Sequence, residues 1–572
     1  MTNFDYKIQG KIIFENILYE NYEIIKIVNK TKNYVLRNFN DNKPVAIAMP
    51  RCVYLLTSVL ALLESKIAYL LIDIDLQPQK RIEYILEDSN VSTVLTISNY
   101  EYYFSGKQVV NVDEIKDTSK CNIEFRNSNL AYLLYTSGTT GLPKGVEISR
   151  ESLHNFIKGI TNIIKFNSSD RIISFTSPSF DIFFLEAIMP LYFGTTVVLG
   201  SRKEIKNPQK QIELIQDHQI NMMQITPSGL RLLSKVDKNL TFLKNIHTIM
   251  VGGEVFPLEI LQKLQLNLNM KIYNMYGPTE TTIWSSVADL SNSDYIHLGS
   301  PILNTEIFLL DDSLCRVSDG VKGEICISGS GLANGYHNNE ELTSSKFCKV
   351  AQLSNRVVYR TGDMGVINSS GKLLYVGRID NQIKLHGHRI ELEEIETAIL
   401  SLETITDLVV CFDEKNEELV AFYSSTDGKT DENIIAKLKE ALPKYMIPNK
   451  FILVEKFIYS SNGKIDRKAV LGRYLEDVSR INRANENSKK SIIDVINLIV
   501  SKCLHITDAS IDWNLTIEQL GFDSITYVEF IVELEKLLNI NFEENVLSID
   551  NFKNLKQLYE YISSLIDIRG VQ

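Results

Sequence analysis

The 572-residue chain has two tryptophans and seven cysteines. The cysteines, at 52, 121, 315, 326, 348, 411 and 503, are odd in number, scattered and never spaced CxxC. That excludes a disulfide framework and a cysteine zinc site, and it points to reduced thiols in the cytoplasm. Long apolar runs are missing too. Cys52–Leu63 is twelve residues, includes Thr57 and Ser58 and ends at Glu64. It is too short for a bilayer, which takes about 20 residues, and reads as a buried helix. Met1–Gly10 has no basic segment leading into an apolar one, so neither a signal peptide nor a membrane partner is expected. There is no basic surplus: 60 Lys and Arg stand against 71 Asp and Glu, a net charge of −11. Nucleic-acid binding, which needs clustered basic surface, is therefore not expected. Neither a GxxxxGK[ST] string nor a GxSxG elbow occurs, which disfavours P-loop NTPase and α/β-hydrolase chemistry.

What is present is an ordinary globular composition, 44% hydrophobic and 23% charged. At roughly 150 residues per domain the length suits about four folding units. Residues 44–49, 91–97 and 130–135 read as buried strands, and 53–63 and 80–88 as helices between them. That alternation predicts an α/β core with parallel sheets. The text turns charged and shorter in period between Gly377 and Asp380, which marks a boundary. Glu476–Lys490 is polar without apolar periodicity and reads as a linker. Residues 490–572 hold 13 acidic residues against 6 basic ones, a separate small acidic domain.

The strongest local signal is Tyr135–Gly145, YTSGTTGLPKG, directly after a predicted strand. Gly138 and Gly141 let backbone N–H groups point into one concavity. Thr136, Ser137, Thr139 and Thr140 add hydroxyls, and Lys144 adds a charge. Such a loop suits a polyphosphate, although a bare Gly/Ser/Thr string is more often a surface turn. Further strings follow in order: NMYGPTETT from Asn274, GEICISGSGLANGY from Gly323 and YRTGDMG from Tyr359. GRIDNQIKLHGHRIELEEIE then starts at Gly377, LPKYMIP at Leu442 and SNGKIDRK at Ser461. Together they resemble the ordered core motifs of a non-ribosomal peptide synthetase adenylation domain, of the adenylate-forming superfamily, over about residues 45–470.

The resemblance implies ATP and Mg2+ as cofactors. Glu280, a carboxylate beside a Gly-Pro turn, would hold the metal on the phosphates. Asn274 and Tyr276 would meet the adenine, Asp363 the ribose hydroxyls, and Tyr375 would make a second nucleotide contact. Gly253, Thr279 and Arg378 complete the nucleotide set with the loop residues. Lys464, on an Asn462-Gly463 turn, would bridge the substrate carboxylate and the α-phosphate, offsetting charge as pyrophosphate leaves. With Glu280, Thr139 and Lys144 it forms the catalytic set. Asp380 resembles the hinge about which a small subdomain swings between adenylation and thioester formation. There are departures: Leu71 and Ile74 stand where proline is usual, and His386 where arginine is. His386 and His388 make a weak metal site, having no nearby ligand set.

By the same resemblance the substrate pocket is Asp181, Ile182, Leu185, Gln224, Met250, Gly252, Met275, Ile283, Trp284 and Lys464, with Ser228 the alternative to Gln224. Asp181 would take the α-ammonium and Lys464 the carboxylate, which argues against a fatty or aryl acid. The remaining wall is bulky and uncharged. It resembles that of glycine-activating members, with alanine the near competitor. In the tail, LGFDSITYV from Leu520 leads into a helical period. It resembles the phosphopantetheine attachment site of carrier domains, with Ser524 bearing 4'-phosphopantetheine on a roughly 20 Å arm.

The expected architecture is an α/β core over 1–379 and a small mobile α+β subdomain over 380–475. A linker over 476–490 and an all-α four-helix carrier domain over 491–568 follow. The expected function is adenylation of an amino acid, with glycine favoured, and its loading on the chain's own carrier. A phosphopantetheinyl transferase would modify Ser524. No HHxxxDG string occurs, so a condensation or other tailoring protein would accept the product in trans. An acyl-CoA ligase and a decayed carrier scaffold are the competing readings. Asp181 and the Ser524 region argue against the first, and intact Thr139, Lys144, Glu280, Asp363 and Lys464 against the second.

Overall fold

The computed structural model describes the chain apart from residues 1–5, 40–42, 105, 117–127, 139–140, 268, 386, 401–404, 426–433, 455–456, 460–464, 486–491, 505–510, 539, 541, 543–550 and 571–572. At 406, 477–485, 524–525 and 564–570 only the backbone is described.

The predicted strands form at Val45–Ala48, Thr93–Thr96 and Leu130–Thr136, and the predicted helices at Val53–Glu64 and Gln79–Asp88. Val45–Ala48 lies between Tyr69–Ile72 and Thr93–Thr96, parallel to both, in a seven-stranded sheet. A nine-stranded sheet carries Met222–Ile225, Thr248–Gly252 and Lys271–Tyr276 as parallel neighbours. Their sequences, MMQI, TIMVG and KIYNMY, are rich in apolar residues because strands covered on both faces have little solvent face to supply. One apolar cluster runs from the first sheet through Val53–Glu64 and Arg150–Ile163 into the second. This explains why Val53–Glu64 is apolar almost all round.

Antiparallel strands between Thr305 and Arg378 form a third sheet. The chain then makes a hairpin of Gln382–Leu385 and His388–Glu391. A three-stranded sheet follows (Ile405–Asp413, Glu418–Ser425 and Lys450–Leu453), packed with Leu392–Leu400 and Ile434–Ala441 around its own apolar cluster. The helix Arg467–Asn485 runs through most of the stretch expected as linker, so the lack of apolar periodicity there does not prevent helix formation. Beyond it, the described residues contain three of the four expected helices, Ile492–Leu504, Ser524–Leu538 and Leu555–Gly570, around a separate apolar cluster.

Three strands place the site: Leu130–Thr136, Thr248–Gly252 and Lys271–Tyr276 all end at one cleft. Ligands of α/β sheets gather at such carboxyl ends of strands.

Candidate active site

The cleft takes in about 1080 Å³ of empty space, open solvent at its mouth included. Thr136, Ser137, Asp181, Ile182, Gly253, Thr279, Ile283, Trp284, Asp363 and Arg378 all line it, although they are scattered over 240 residues of sequence. Thr139, Thr140, Lys464 and His386 lie outside the described residues. Tyr459 and Ile465, which flank the Lys464 turn, bridge to each other, and Ile458 and Ile465 pack with Cys411 and Val470. None of those flanking residues lines the cleft.

At the loop end the hairpin closes in. Ser137 Oγ donates to the Arg389 carbonyl at 2.8 Å, and Gly138 N–H donates to Glu394 Oε2 at 3.0 Å. The other Glu394 oxygen pairs with Arg81. Glu280 is fully buried: Tyr336 donates to Oε1 at 2.8 Å, and Arg389 to Oε2 at 2.7 Å. Burial alone would push the Glu280 carboxyl up, but the Arg389 guanidinium and the Lys144 ammonium hold it down to about 2. Lys144 sits over the Tyr336 ring at 5.3 Å and 3.6 Å from Glu391. An ionised carboxylate beside the loop has the chemistry of a Mg2+ donor. Among the described residues, no three His, Cys, Asp or Glu side chains gather as a metal site. His388 stacks on Tyr445 with ring centroids 3.7 Å apart and 7° between planes, so its ring serves aromatic packing.

Asp363 is buried with both oxygens engaged, one by Tyr276 Oη at 2.7 Å and one by Arg378 at 2.6 Å. Arg378 also bonds Asp380 at 2.6 Å, which ties the expected hinge residue to the nucleotide set. Asn274 does not line the cleft; its amide donates to the His297 carbonyl at 2.9 Å. Tyr375 is half-buried among apolar residues. Gly141 adopts φ +84° against Thr397, a conformation that favours glycine.

At the other end Asp181 Oδ2 is sealed from solvent and lacks a hydrogen-bond partner among the described residues. Burial pushes this carboxyl up to about 6, an effect that the nearby Thr279 only partly offsets. The preceding segment is anchored by Glu186, which accepts from the Phe175 and Thr176 N–H groups at 3.1 Å each. Of the bulky pocket residues, Ile182, Ile283 and Trp284 line the cleft. Leu185, Gln224, Met250, Gly252 and Met275 stand outside its lining. Trp284 covers Gly252: a Cβ there would meet the Trp284 ring at 2.7 Å and the Met275 carbonyl at 2.6 Å. Ser228 instead donates to Glu254 from both N–H and Oγ, at 2.9 and 2.7 Å.

Residues 33–337 match the family model described as "AMP-binding enzyme", more than half of the chain. The chain belongs to this AMP-binding enzyme family. Residues 494–562 match a second model, "Phosphopantetheine attachment site". The protein therefore pairs an adenylation domain that uses ATP and Mg2+ with a carrier domain that takes covalent 4'-phosphopantetheine. A dimodular nonribosomal peptide synthase of Bacillus subtilis (strain 168) is 36% identical over 74% of the chain and 18% of that protein. Gramicidin S synthase 1 of Brevibacillus brevis is 30% identical over 96% of the chain. The chain spans half of the latter relative's length. Among solved structures, an NRPS protein containing adenylation and PCP domains superposes over 93% of the chain and 90% of its own, with a TM-score of 0.78 at 22% identity. A four-domain nonribosomal peptide synthetase, solved with AMP and glycine bound, is 25% identical with a TM-score of 0.60, over 98% of the chain and 42% of its own. Among the described residues no helix is long and apolar enough to cross a membrane.

In the carrier domain of this AMP-binding enzyme, Ser524 is the first residue of its helix. The cap is supplied by Asp523, whose Oδ1 accepts from Thr526 N–H at 2.9 Å while Thr526 Oγ1 accepts from Asp523 N–H at 2.9 Å. Asp523 also pairs with Lys444 at 3.1 Å, and Glu529 with Lys235 at 3.0 Å, so this helix faces the adenylation domain. Sequence reasoning missed Arg81, Tyr336, Lys384, Arg389, Glu394 and Tyr445. Arg389 and Glu394 stand in the quoted RIELEEIE string, where charge alone gave no role.

Proposed function

We propose that this enzyme adenylates glycine and loads it as a thioester on its own carrier domain, in non-ribosomal peptide biosynthesis. The observation that carries the reading is that one cleft is lined by both Asp181, with a carboxylate oxygen that has no hydrogen-bond partner among the described residues, and Trp284, whose indole fills the room left by Gly252. An α-ammonium satisfies the carboxylate, and the indole leaves little space beyond an α-carbon. The glycine-bound four-domain synthetase supports the same substrate. Alanine is the second reading, because one methyl is discriminated by only about 1–3 kcal/mol.

In this reading residues 1–379 form the catalytic core and 380–475 swing about Asp380. The linker is 476–490, and 491–568 form the carrier. Loop residues Thr136–Gly141 and Lys144 hold the ATP phosphates, Glu280 holds Mg2+, and Asp363 with Tyr276, Asn274, Tyr375 and Arg378 forms the nucleoside end. Lys464 steadies the carboxylate as it attacks the α-phosphate and pyrophosphate leaves. Once attached to Ser524 by a phosphopantetheinyl transferase, the arm supplies a thiol for the acyl adenylate. Because Asp523 already caps the helix, Ser524 is not needed as a cap. Another protein then accepts the aminoacyl group in the cytoplasm.

The test is amino-acid-dependent exchange of labelled pyrophosphate into ATP across the twenty common amino acids. Glycine leads and alanine follows; leucine or phenylalanine well ahead of glycine overturns the pocket. Ser524→Ala keeps exchange and loses loading, and coenzyme A-derived mass added to that variant by a transferase sinks the attachment site.

A further inference from the structure

We infer that a buried water bridges the Tyr132 hydroxyl and the Asp181 carboxylate, which makes Tyr132 a positioning residue for the ammonium-binding group. The inference rests on the proposed role of Asp181 toward the α-ammonium. Asp181 lines the cleft and also a second, smaller cavity, which shares Leu71 and Phe180 with the cleft and adds Tyr69, Tyr132 and Leu134. Alternation along Tyr69–Ile72 and Leu130–Thr136 puts Tyr69 and Leu71, and likewise Tyr132 and Leu134, on one face of their strands. Tyr69 and Tyr132 are register partners, with ring centroids 5.4 Å apart. The segment after Asp181 supplies the rest of the lining. There the Met189 N–H bonds the Phe184 carbonyl five residues back, a π-type turn of the kind frequent at functional sites.

Tyr132 Oη and Asp181 Oδ2 are both sealed from solvent, and neither has a hydrogen-bond partner among the described residues. One can donate and the other can accept. They are close enough for the Asp181 charge to join burial in keeping the Tyr132 phenol protonated. A buried donor or acceptor left unmet is costly, and native interiors hold few of them. The free room in the cavity is that of about one water molecule, and apart from Tyr69 the other side chains around it are aliphatic or aromatic rings without polar atoms. Tyr132 donates to this water, and the water donates to Asp181. An ionised carboxylate has about four acceptor positions, so others remain for an ammonium in the cleft. A hydrogen bond to the carboxylate favours its ionised form, the form that pairs with an ammonium. It thus works against burial and the Glu280 charge, which both push the Asp181 carboxyl up. Tyr69 is the other titratable group facing Asp181, and Arg150 acts on Tyr69.

The test is the pH profile of glycine-dependent pyrophosphate exchange in full-length wild type, Tyr132→Phe and Asp181→Asn. Tyr132→Phe keeps the ring and removes only the donor. Its acid limb moves up by about one pH unit, the size of a net hydrogen bond to a charged group. From a wild-type limb at about 6, glycine kcat/KM therefore falls about fivefold at pH 6 and less than about twofold at pH 8, while the KM for ATP holds at both. A crystal structure of the wild type is a second measurement that needs no variant: a water lies within hydrogen-bond distance of Tyr132 Oη and an Asp181 oxygen. An unmoved limb in Tyr132→Phe, or a dry cavity in that crystal, overturns the inference and leaves Asp181 its proposed role. A uniform loss at every pH that extends to ATP is the mark of lost packing and overturns it too. An acid limb that persists in Asp181→Asn removes the role of Asp181, and the inference with it.

Discussion

At the Asp181 end of the cleft, proposed for the amino acid, the wall is Ile182, Ile283 and Trp284, backed by Gly252 and Met275 on neighbouring strands of one sheet. At the loop end, proposed for the phosphates, the contacts are ionic and join distant segments: Arg81 and Glu394 are 313 residues apart, and Glu280 and Arg389 are 109 apart. The first end is close-packed apolar surface, whose shape yields only if something is overpacked or removed. The second is a set of buried charges whose partners can be exchanged. In the proposed function, substrate choice belongs to the close-packed end and phosphate and metal binding to the charged one. Glu280 is held down to about 2 by Arg389 and Lys144 against the effect of its burial, so its pair with Arg389 stays ionised throughout the neutral range.

The severest break is expected from Lys464→Ala, since the proposed role of that lysine touches both ends. Pyrophosphate exchange should fall about a thousandfold, as on loss of a transition-state charge contact, with ATP binding and folding intact. Near-normal exchange would remove Lys464 from the mechanism. Asp181→Asn comes next and acts on one end only. Glycine kcat/KM should drop roughly 10- to 100-fold, as on loss of a charged hydrogen bond, while the KM for ATP holds. The wild-type carboxyl titrates near 6, so glycine kcat/KM should fall tenfold per unit below that pH. Asp181→Asn should lose that limb. Stability carries the opposite sign. The folded pKa of Asp181 lies above its ordinary value, so ionisation costs stability as pH rises from about 4 to about 6. Asp181→Asn should be at least as stable as wild type at pH 7, with the advantage gone at pH 3. Equal ATP and glycine defects in this variant would erase the distinction between the two ends.

The same contrast governs what could be read from sequence. Parallel strands such as Val45–Ala48 and the buried helix Val53–Glu64 announce themselves, because apolar runs of those lengths have few other uses. Gly138 and Asp181 were recognisable because local strings carry them. Glu394 and Arg389 stood in one of those strings and still had no assigned role. Whether a charge is solvated or buried against a loop 256 residues away depends on tertiary closure, which has no local period. The polar stretch from Glu476, expected as a linker, gave no sign of helix. Its helix continues to Asn485 without an apolar face to advertise it. Asn274, proposed at the adenine, bonds the His297 carbonyl, a contact set by strand register that no local string announces.

Trp284→Ala sharpens the rigid end with a smaller effect on catalysis. Removing the buried indole should cost about 3–5 kcal/mol of stability, read by denaturant titration. It should also open room for a side chain, so that alanine or serine gains about tenfold against glycine in the exchange assay. An unchanged glycine preference would mean that other residues close the pocket.

The smallest effect, and the finest test of the packing argument, is Gly252→Ala. Gly252 faces Met275 across the strand pair, and a Cβ there would stand 2.6 Å from the Met275 carbonyl and 2.7 Å from the Trp284 ring. The carbonyl belongs to a paired strand and can move little. The ring can tilt, and the cleft is the open space beside it. Overpacking of this kind costs about 1–3 kcal/mol. A tilted indole narrows the cleft further, so the glycine KM should rise a few-fold and alanine should lose more than glycine. ATP affinity should hold, because the phosphate end shares none of these atoms. In Gly252→Ala/Trp284→Ala the ring contact is gone and only the carbonyl contact remains. The two stability losses should therefore sum to less than their separate values, as expected for residues in contact. Strict additivity would show that Trp284 does not rest on Gly252, and the packing explanation of the small pocket would fall with it.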